Sequence, residues 1–275
     1  MKARRRKLGE SLLILAWLAL SLTACAQRTC LPPVQDTHPP RPSSQPAQPS
    51  ASGSAVVEQC LIDPAASRTI IHEVGPLETI WRISKMYGVT TKAIYSANNL
   101  KPGEPLRIGQ KLVIPSAKGL RNVIPLYPSS KWKYIIVHHT ATDIGKALQV
   151  HRAHEDRGFW NGLGYHFLID NGTLGKGDGQ IEVSPRWIKQ QDGAHCQAGG
   201  MNKVGIGIAL VGNFNLDHPT QNQLQSLTYL LRTLMKYYRI SPRNVMGHRD
   251  VEGAATDCPG KQFPWQSIRP CLTAN

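Results

Sequence analysis

The chain has 275 residues and a formal charge of +14, from 32 basic and 18 acidic side chains. A charge this positive calls for an anionic partner, which leaves cell-wall polymer, anionic lipid and nucleic acid. Near the N-terminus, the apolar run from Ser11 to Leu22 is about a dozen residues long. It falls short of the roughly 20 that a membrane-spanning helix needs, and so excludes one there.

That run follows a basic stretch, Lys2, Arg4, Arg5, Arg6 and Lys7, which is the pattern of an export signal. Export sets nucleic acid aside as a partner. The run ends in Leu22-Thr23-Ala24-Cys25, which resembles a bacterial lipobox. The resemblance implies a signal peptide over 1–24, cleavage before Cys25, and lipid on that residue. Two or more acyl chains anchor a protein stably to a membrane. Ala26 and Gln27 follow with no aspartate, which by the same resemblance implies the outer membrane of a Gram-negative cell, facing the periplasm. Loss of the signal leaves 27 basic against 17 acidic residues.

Residues 25–66 are rich in Pro, Gln, Ser and Ala, with prolines at 32, 33, 39, 40, 42, 46 and 49. Such composition predicts an extended tether, on the order of 100 Å at about 3 Å per residue. Beyond Cys25 and a candidate metal ligand, Cys258, four cysteines remain: Cys30, Cys60, Cys196 and Cys271. They allow three pairings in an oxidising compartment, and the sequence does not choose among them.

The region 67–117 reads as strand, helix, helix, strand. Ile70-Ile71-His72-Glu73-Val74 reads as a strand. Ile80, Ile83 and Tyr87 share one helical face, and Gly88 stops that helix. A second helix covers 91–97, and Lys111 to Ile114 closes the unit. The motifs Val74-Gly75-Pro76-Leu77-Glu78-Thr79, Tyr87-Gly88-Val89-Thr90, Ala97-Asn98-Asn99-Leu100 and Ile108-Gly109-Gln110-Lys111 resemble a LysM domain. The resemblance implies a βααβ fold that binds N-acetylglucosamine-containing glycan, with Gly75, Leu77, Asn99 and Leu106 as the expected groove lining.

A second linker is expected over 118–130, and 131–275 is ample for one globular domain. Strands are predicted at 134–137, 165–169, 204–211 and 244–246. Helices are predicted at 145–157 and 221–238, the latter opened by a Thr220/Gln223 capping box. This alternation predicts an α/β fold with a central mixed β-sheet flanked by helices.

His138 closes the run Tyr134-Ile135-Ile136-Val137, and His248 and Cys258 lie in Gly247-His248-Arg249-Asp250 and Thr256-Asp257-Cys258-Pro259-Gly260. Two imidazoles and a thiolate at strand ends suit an open catalytic zinc site, with a fourth position for water or substrate. His139 is a direct strand neighbour of His138 and points to the other face. His151 and His154 lack the His-Glu-x-x-His pattern of a second site. Asp250 either orients a ligand or caps a turn. A Cys196 nucleophile beside His195 is disfavoured by the same strand alternation.

Together with Gly164-Tyr165-His166, Gly193-Ala194-His195 and Gly205-Ile206-Gly207, these motifs resemble the zinc N-acetylmuramoyl-L-alanine amidases and peptidoglycan recognition proteins. The resemblance implies zinc held by His138, His248 and Cys258. It also implies Tyr165 facing the metal-bound water, Thr256 near the developing oxyanion, and His195 either contacting substrate or holding a loop. The implied reaction is hydrolysis of the amide between N-acetylmuramic acid and L-alanine in peptidoglycan. A non-catalytic peptidoglycan-binding lipoprotein and an amidase recycling anhydro-muropeptides are the alternatives. On the tether reading, deleting 67–117 weakens wall binding and leaves hydrolysis of small muropeptides nearly intact.

Overall fold

The computed structural model describes residues 53–62, 67–159 and 162–273. The signal peptide, Cys25 with its expected lipid, Cys30 and the tether up to residue 52 lie outside the described residues. Among the described residues, no helix is long and apolar enough to cross a membrane.

The N-terminal half contains β1 (Ala55–Ile62), β2 (Arg68–Glu73), α1 (Ile80–Tyr87), α2 (Thr91–Ala97), β3 (Lys111–Ala117) and β4 (Leu120–Leu126). The βααβ unit forms as its pattern predicts. Helix α1 starts where the Thr79 hydroxyl accepts the Arg82 N–H, and stops at Gly88 with φ 63°. Its apolar face, Ile80, Ile83, Met86 and Tyr87, packs on Val74, Ile94, Leu112 and Ile114.

Under that core lies a buried carboxylate. Glu78 accepts from Gly75 N at 2.7 Å and lies 2.8 Å from His72 Nε2. Burial alone would raise its pKa. The His72 hydrogen bond, with the charges of His72, Arg82 and Lys176, more than offsets this and holds it down to about 2. An unfolded glutamate titrates near 4.3, so this contribution is present above that pH and is lost as pH falls toward 2. The expected result is that stability drops by about 3 kcal/mol over this window. Thermal melts of Glu78→Gln should show a flatter acid limb; an unchanged limb would remove Glu78 as its source.

The C-terminal half contains β5 (Tyr134–His139), α3 (Ala147–Asp156), β6 (Phe167–Asn171), β7 (Asp178–Val183), α4 (Pro185–Ile188), α5 (Met201–Val204), β8 (Gly205–Leu210), α6 (Gln221–Tyr238), β9 (Val245–Gly247) and α7 (Trp265–Thr273). Strand order is β7-β6-β8-β5-β9, with only β6–β7 antiparallel. Alternate strand residues serve opposite faces. Phe167, Ile169, Ile208 and Leu210 meet Leu227, Leu230, Leu231 and Leu234 of α6. Leu168, Ala209 and Val211 meet Ala147 and Val150 of α3. The result is the mixed α/β fold expected, helices on both faces.

Two segments correct the expected domain boundaries. Residues 55–62, assigned to the tether, and 120–126, assigned to the linker, pair as an antiparallel ribbon from Ala55↔Leu126 to Ile62↔Leu120. Strand β4 is shared by two cores. Leu120 and Val123 pack with the βααβ unit, while Ile124 and Leu126 pack with the large sheet. Asn122, 1% exposed, ties the ribbon down. Its Oδ1 accepts from Ile181 N at 2.7 Å, and its Nδ2 faces Gln59 Oε1, Gly179 O and Ser226 Oγ. Trp187 Nε1 donates to Pro125 O at 2.6 Å. Pro125 inside β4 and Pro64 just after β1 add to the difficulty of reading these strands, because Pro reads as a strand breaker except at an edge or bulge.

Candidate metal centre

Parallel pairing of β5 with β9 sets Val137 opposite Gly247. Each of these residues is followed by a histidine, His138 still within β5 and His248 just past the end of β9, so the two emerge side by side, ring centroids 4.7 Å apart. Asp250 Oδ2 accepts the Gly247 N–H at 3.0 Å and thus caps the turn that presents His248. Cys258 is held from three directions. Its carbonyl accepts from Arg249 N, its amide donates to Thr256 Oγ1, and its sulfur accepts from His139 N.

One nitrogen from each of His138 and His248 and the Cys258 sulfur lie within 4.8 Å of one another. Among the described residues, no other group of three His, Cys, Asp or Glu side chains meets this condition. His138 Nδ1 is 3.6 Å from Cys258 Sγ. A tetrahedral zinc with ordinary N and S bond lengths has an N–S edge of about 3.6 Å, so this pair fits the ion. The donor set also fits, since thiolate and imidazole favour zinc over hard cations.

Burial dominates the electrostatics. It pushes His138 well below the usual imidazole range, aided by His195, His248 and His139. Burial lowers His248 as well. The Cys258 thiol is pushed up to about 12 by burial, against the opposing hydrogen bond from His139. Tyr165 is raised by burial and by Cys258.

His195 is placed behind His138. The Gly205 carbonyl can only accept, so His195 Nε2, 3.2 Å away, donates to it. Its Nδ1 is then the acceptor that faces His138 Nε2 at 3.1 Å. That leaves His138 Nδ1 unprotonated on the side toward Cys258. Burial holds His195 down to about 3, which keeps the pair neutral. Gly193 and Gly207 make room for the His195 ring, where a Cβ would come within 2.3 and 2.4 Å of it. Asn202 Oδ1 accepts from His195 N and Cys196 N, both at 2.8 Å. Neither the histidine relay nor Asn202 was read from the sequence. Gly207, inside a buried strand, was the available signal, since glycine there marks a close approach.

Residues 128–261 match the family model for N-acetylmuramoyl-L-alanine amidase, and 72–115 match that for the LysM domain. Peptidoglycan-recognition protein SC1a of Drosophila melanogaster is 34% identical over 145 residues, half of this chain and 71% of the relative. The chain belongs to the N-acetylmuramoyl-L-alanine amidase and peptidoglycan-recognition protein family. Peptidoglycan-recognition protein 2 of Holotrichia diomphalia is 32% identical over 143 residues, 49% of this chain and 70% of the relative. Among solved structures, N-acetylmuramoyl-L-alanine amidase LysC of Clostridium intestinale URNW is 34% identical. It covers 54% of this chain and 92% of its own, with a TM-score of 0.44.

Within the amidase domain, Tyr165 sits beside the cluster, its ring 5.1 Å from that of His138. Thr256 is exposed, with its oxygen accepting the Cys258 N–H. His139 Nδ1 accepts from Phe214 N, and the two rings lie 5.8 Å apart. His151 and His154 accept from Leu163 N and Gly164 N, both through Nδ1 at 3.1 Å. Cys196 packs with Ile136 and Val251, its sulfur on Ala198 O. Among the described residues, Cys60 and Cys196 form no disulfide.

In the LysM domain, Leu77 and Asn99 are exposed and Gly75 and Leu106 partly so. Leu77 and Asn99 hold φ of 58° and 52°. Leucine rarely adopts that region, and strain of this kind gathers at ligand sites.

Proposed function

We propose that the protein hydrolyses the amide between N-acetylmuramic acid and L-alanine in peptidoglycan, with zinc held by His138, His248 and Cys258. The observation that carries this reading is the convergence of two imidazole nitrogens and one sulfur within 4.8 Å, in a chain of this family. Zinc there would supply Lewis acidity, activating water and polarising the scissile carbonyl.

The chain's own residues orient that chemistry. His195 fixes the His138 tautomer and is a positioning residue rather than one that touches substrate, as the Gly205–His195–His138 relay supports. Tyr165 lies beside His138 and offers its hydroxyl to the charge that develops on the carbonyl oxygen. Thr256 fixes the Cys258 turn through its oxygen, and its O–H remains available to the same developing charge. The loops bearing Gly75, Leu77, Asn99 and Leu106 hold the glycan. Lipid on Cys25 anchors the chain to the outer membrane, with the remaining proline-rich segment reaching toward the wall. The cell envelope is then where it works.

A binding-only role is the second reading, and the names of the recognition-protein relatives favour it. It requires no thiol aligned with two imidazoles, which is what Cys258 provides. Mass analysis of material released from purified cell wall separates the two. Stem peptides with a free N-terminal L-alanine are expected, lost on chelation and restored by zinc. Binding without release, or release that survives chelation, would sink the zinc amidase.

A further inference from the structure

We propose that the LysM groove and the amidase cleft form one extended site for a glycan strand. A stem peptide is then cut efficiently only when its glycan is long enough to lie on both. This rests on the amidase reading above and names its substrate class: strands of several disaccharides rather than small muropeptides.

Three observations carry it. First, the LysM domain is fused to the amidase domain. Val123 and Ile124 are neighbours on β4 yet belong to different cores, and Arg82 of α1 donates from Nε to Val123 O at 3.2 Å. Domains joined by a flexible tether move independently by default; a shared hydrophobic ribbon removes that freedom.

Second, the LysM domain meets the amidase domain through the end that bears its proposed groove. Glu73, two residues before Gly75, forms an ion pair with Lys146. A Cβ added at Gly109, three residues after Leu106, would come within about 4 Å of Leu148 Cδ2 and the Arg152 guanidinium of α3. The same helix carries His154, whose ring lies 5.7 Å from Tyr165, itself 5.1 Å from His138. One helix of 10 residues therefore separates the groove end from the metal cluster.

Third, the junction suits an acidic polymer. A cavity of about 310 Å³ opens there, lined by the exposed Lys111, by Lys146 paired with Glu73, and by Lys176, whose charge is already held by the buried Glu182. Arg152 and Ile108 are exposed at the Gly109 contact, an arrangement of charge and apolar surface that saccharides with carboxylate-bearing stems can lie across.

The test is hydrolysis per stem on purified strands of defined length, from one disaccharide-peptide upward. A fixed two-site enzyme gives a step in kcat/KM of about tenfold or more once the strand spans both sites. A flat or gradually rising profile would overturn the inference while leaving the amidase intact. No turnover at any length would remove the amidase reading, and this inference with it. Glu73→Lys and Lys146→Glu, which disturb the junction without parting the shared ribbon, should each lower the step several-fold. The double exchange should restore the step, and a step untouched by the single changes would count against the proposal.

Discussion

Cys258→Ser should leave a folded protein that has lost zinc and wall hydrolysis together, each by about 100-fold or more. The exchange is close to isosteric at a position 9% exposed, so the fold has no reason to change. The chemistry changes instead. A serine oxygen stays protonated and neutral where the thiolate brings a negative charge and a soft donor. Loss of a partner behind a ligand already costs about 10–100-fold in metal affinity or activity, and loss of the ligand itself belongs at or above that range. Metal content and product release measured on one sample check this. A second readout is the melting temperature, which zinc should raise in the parent protein because it binds the folded state alone. A variant that keeps both its metal and its rate would mean that sulfur is not a ligand.

Deleting residues 67–117 should destabilise the amidase domain rather than release it intact. The sequence suggested a LysM bead on a string, removable without harm to small-substrate hydrolysis. The ribbon changes that expectation. Removal strips the cover from Leu120 and Val123, which are 6% and 1% exposed. Each such side chain contributes about 1.5–3 kcal/mol when fully buried, so about 3–6 kcal/mol is at stake. Domains of this size are stable by only about 5–15 kcal/mol in total. The Lys176–Glu182 pair, 8% exposed on each side chain, would also face water that it now excludes. We expect aggregation or a melting temperature lower by about 10 °C or more. A soluble fragment with the parent melting temperature would show that the ribbon needs no LysM domain.

Where one face is apolar and the other polar, the chain was legible in advance. Helix α6, with its Thr220 capping box and its leucine stripe, and the βααβ unit both follow from periodicity and caps. Strand β7 was missed because Gln180 and Glu182 are polar and buried. Glu182 serves Lys176 and the Ala147 amide, and its alternation therefore points the wrong way. Strands β1 and β4 were missed because they pair across 58 or more residues of chain, and no local pattern reports a partner that distant. The site divides in the same manner. Residues at strand ends were readable from motif spacing. The His195 relay was not, because it depends on which carbonyl a ring nitrogen meets in space.

The ribbon also bears on how such a protein can be recombined. A graft that carries only 128–261 into another scaffold takes Trp187 without Pro125, and Ile181 without Asn122. Chimeras cut at the apparent seam should express poorly, whereas those cut ahead of residue 53 keep both strands of that ribbon. The functional unit of inheritance here is thus larger than either motif by which it is recognised.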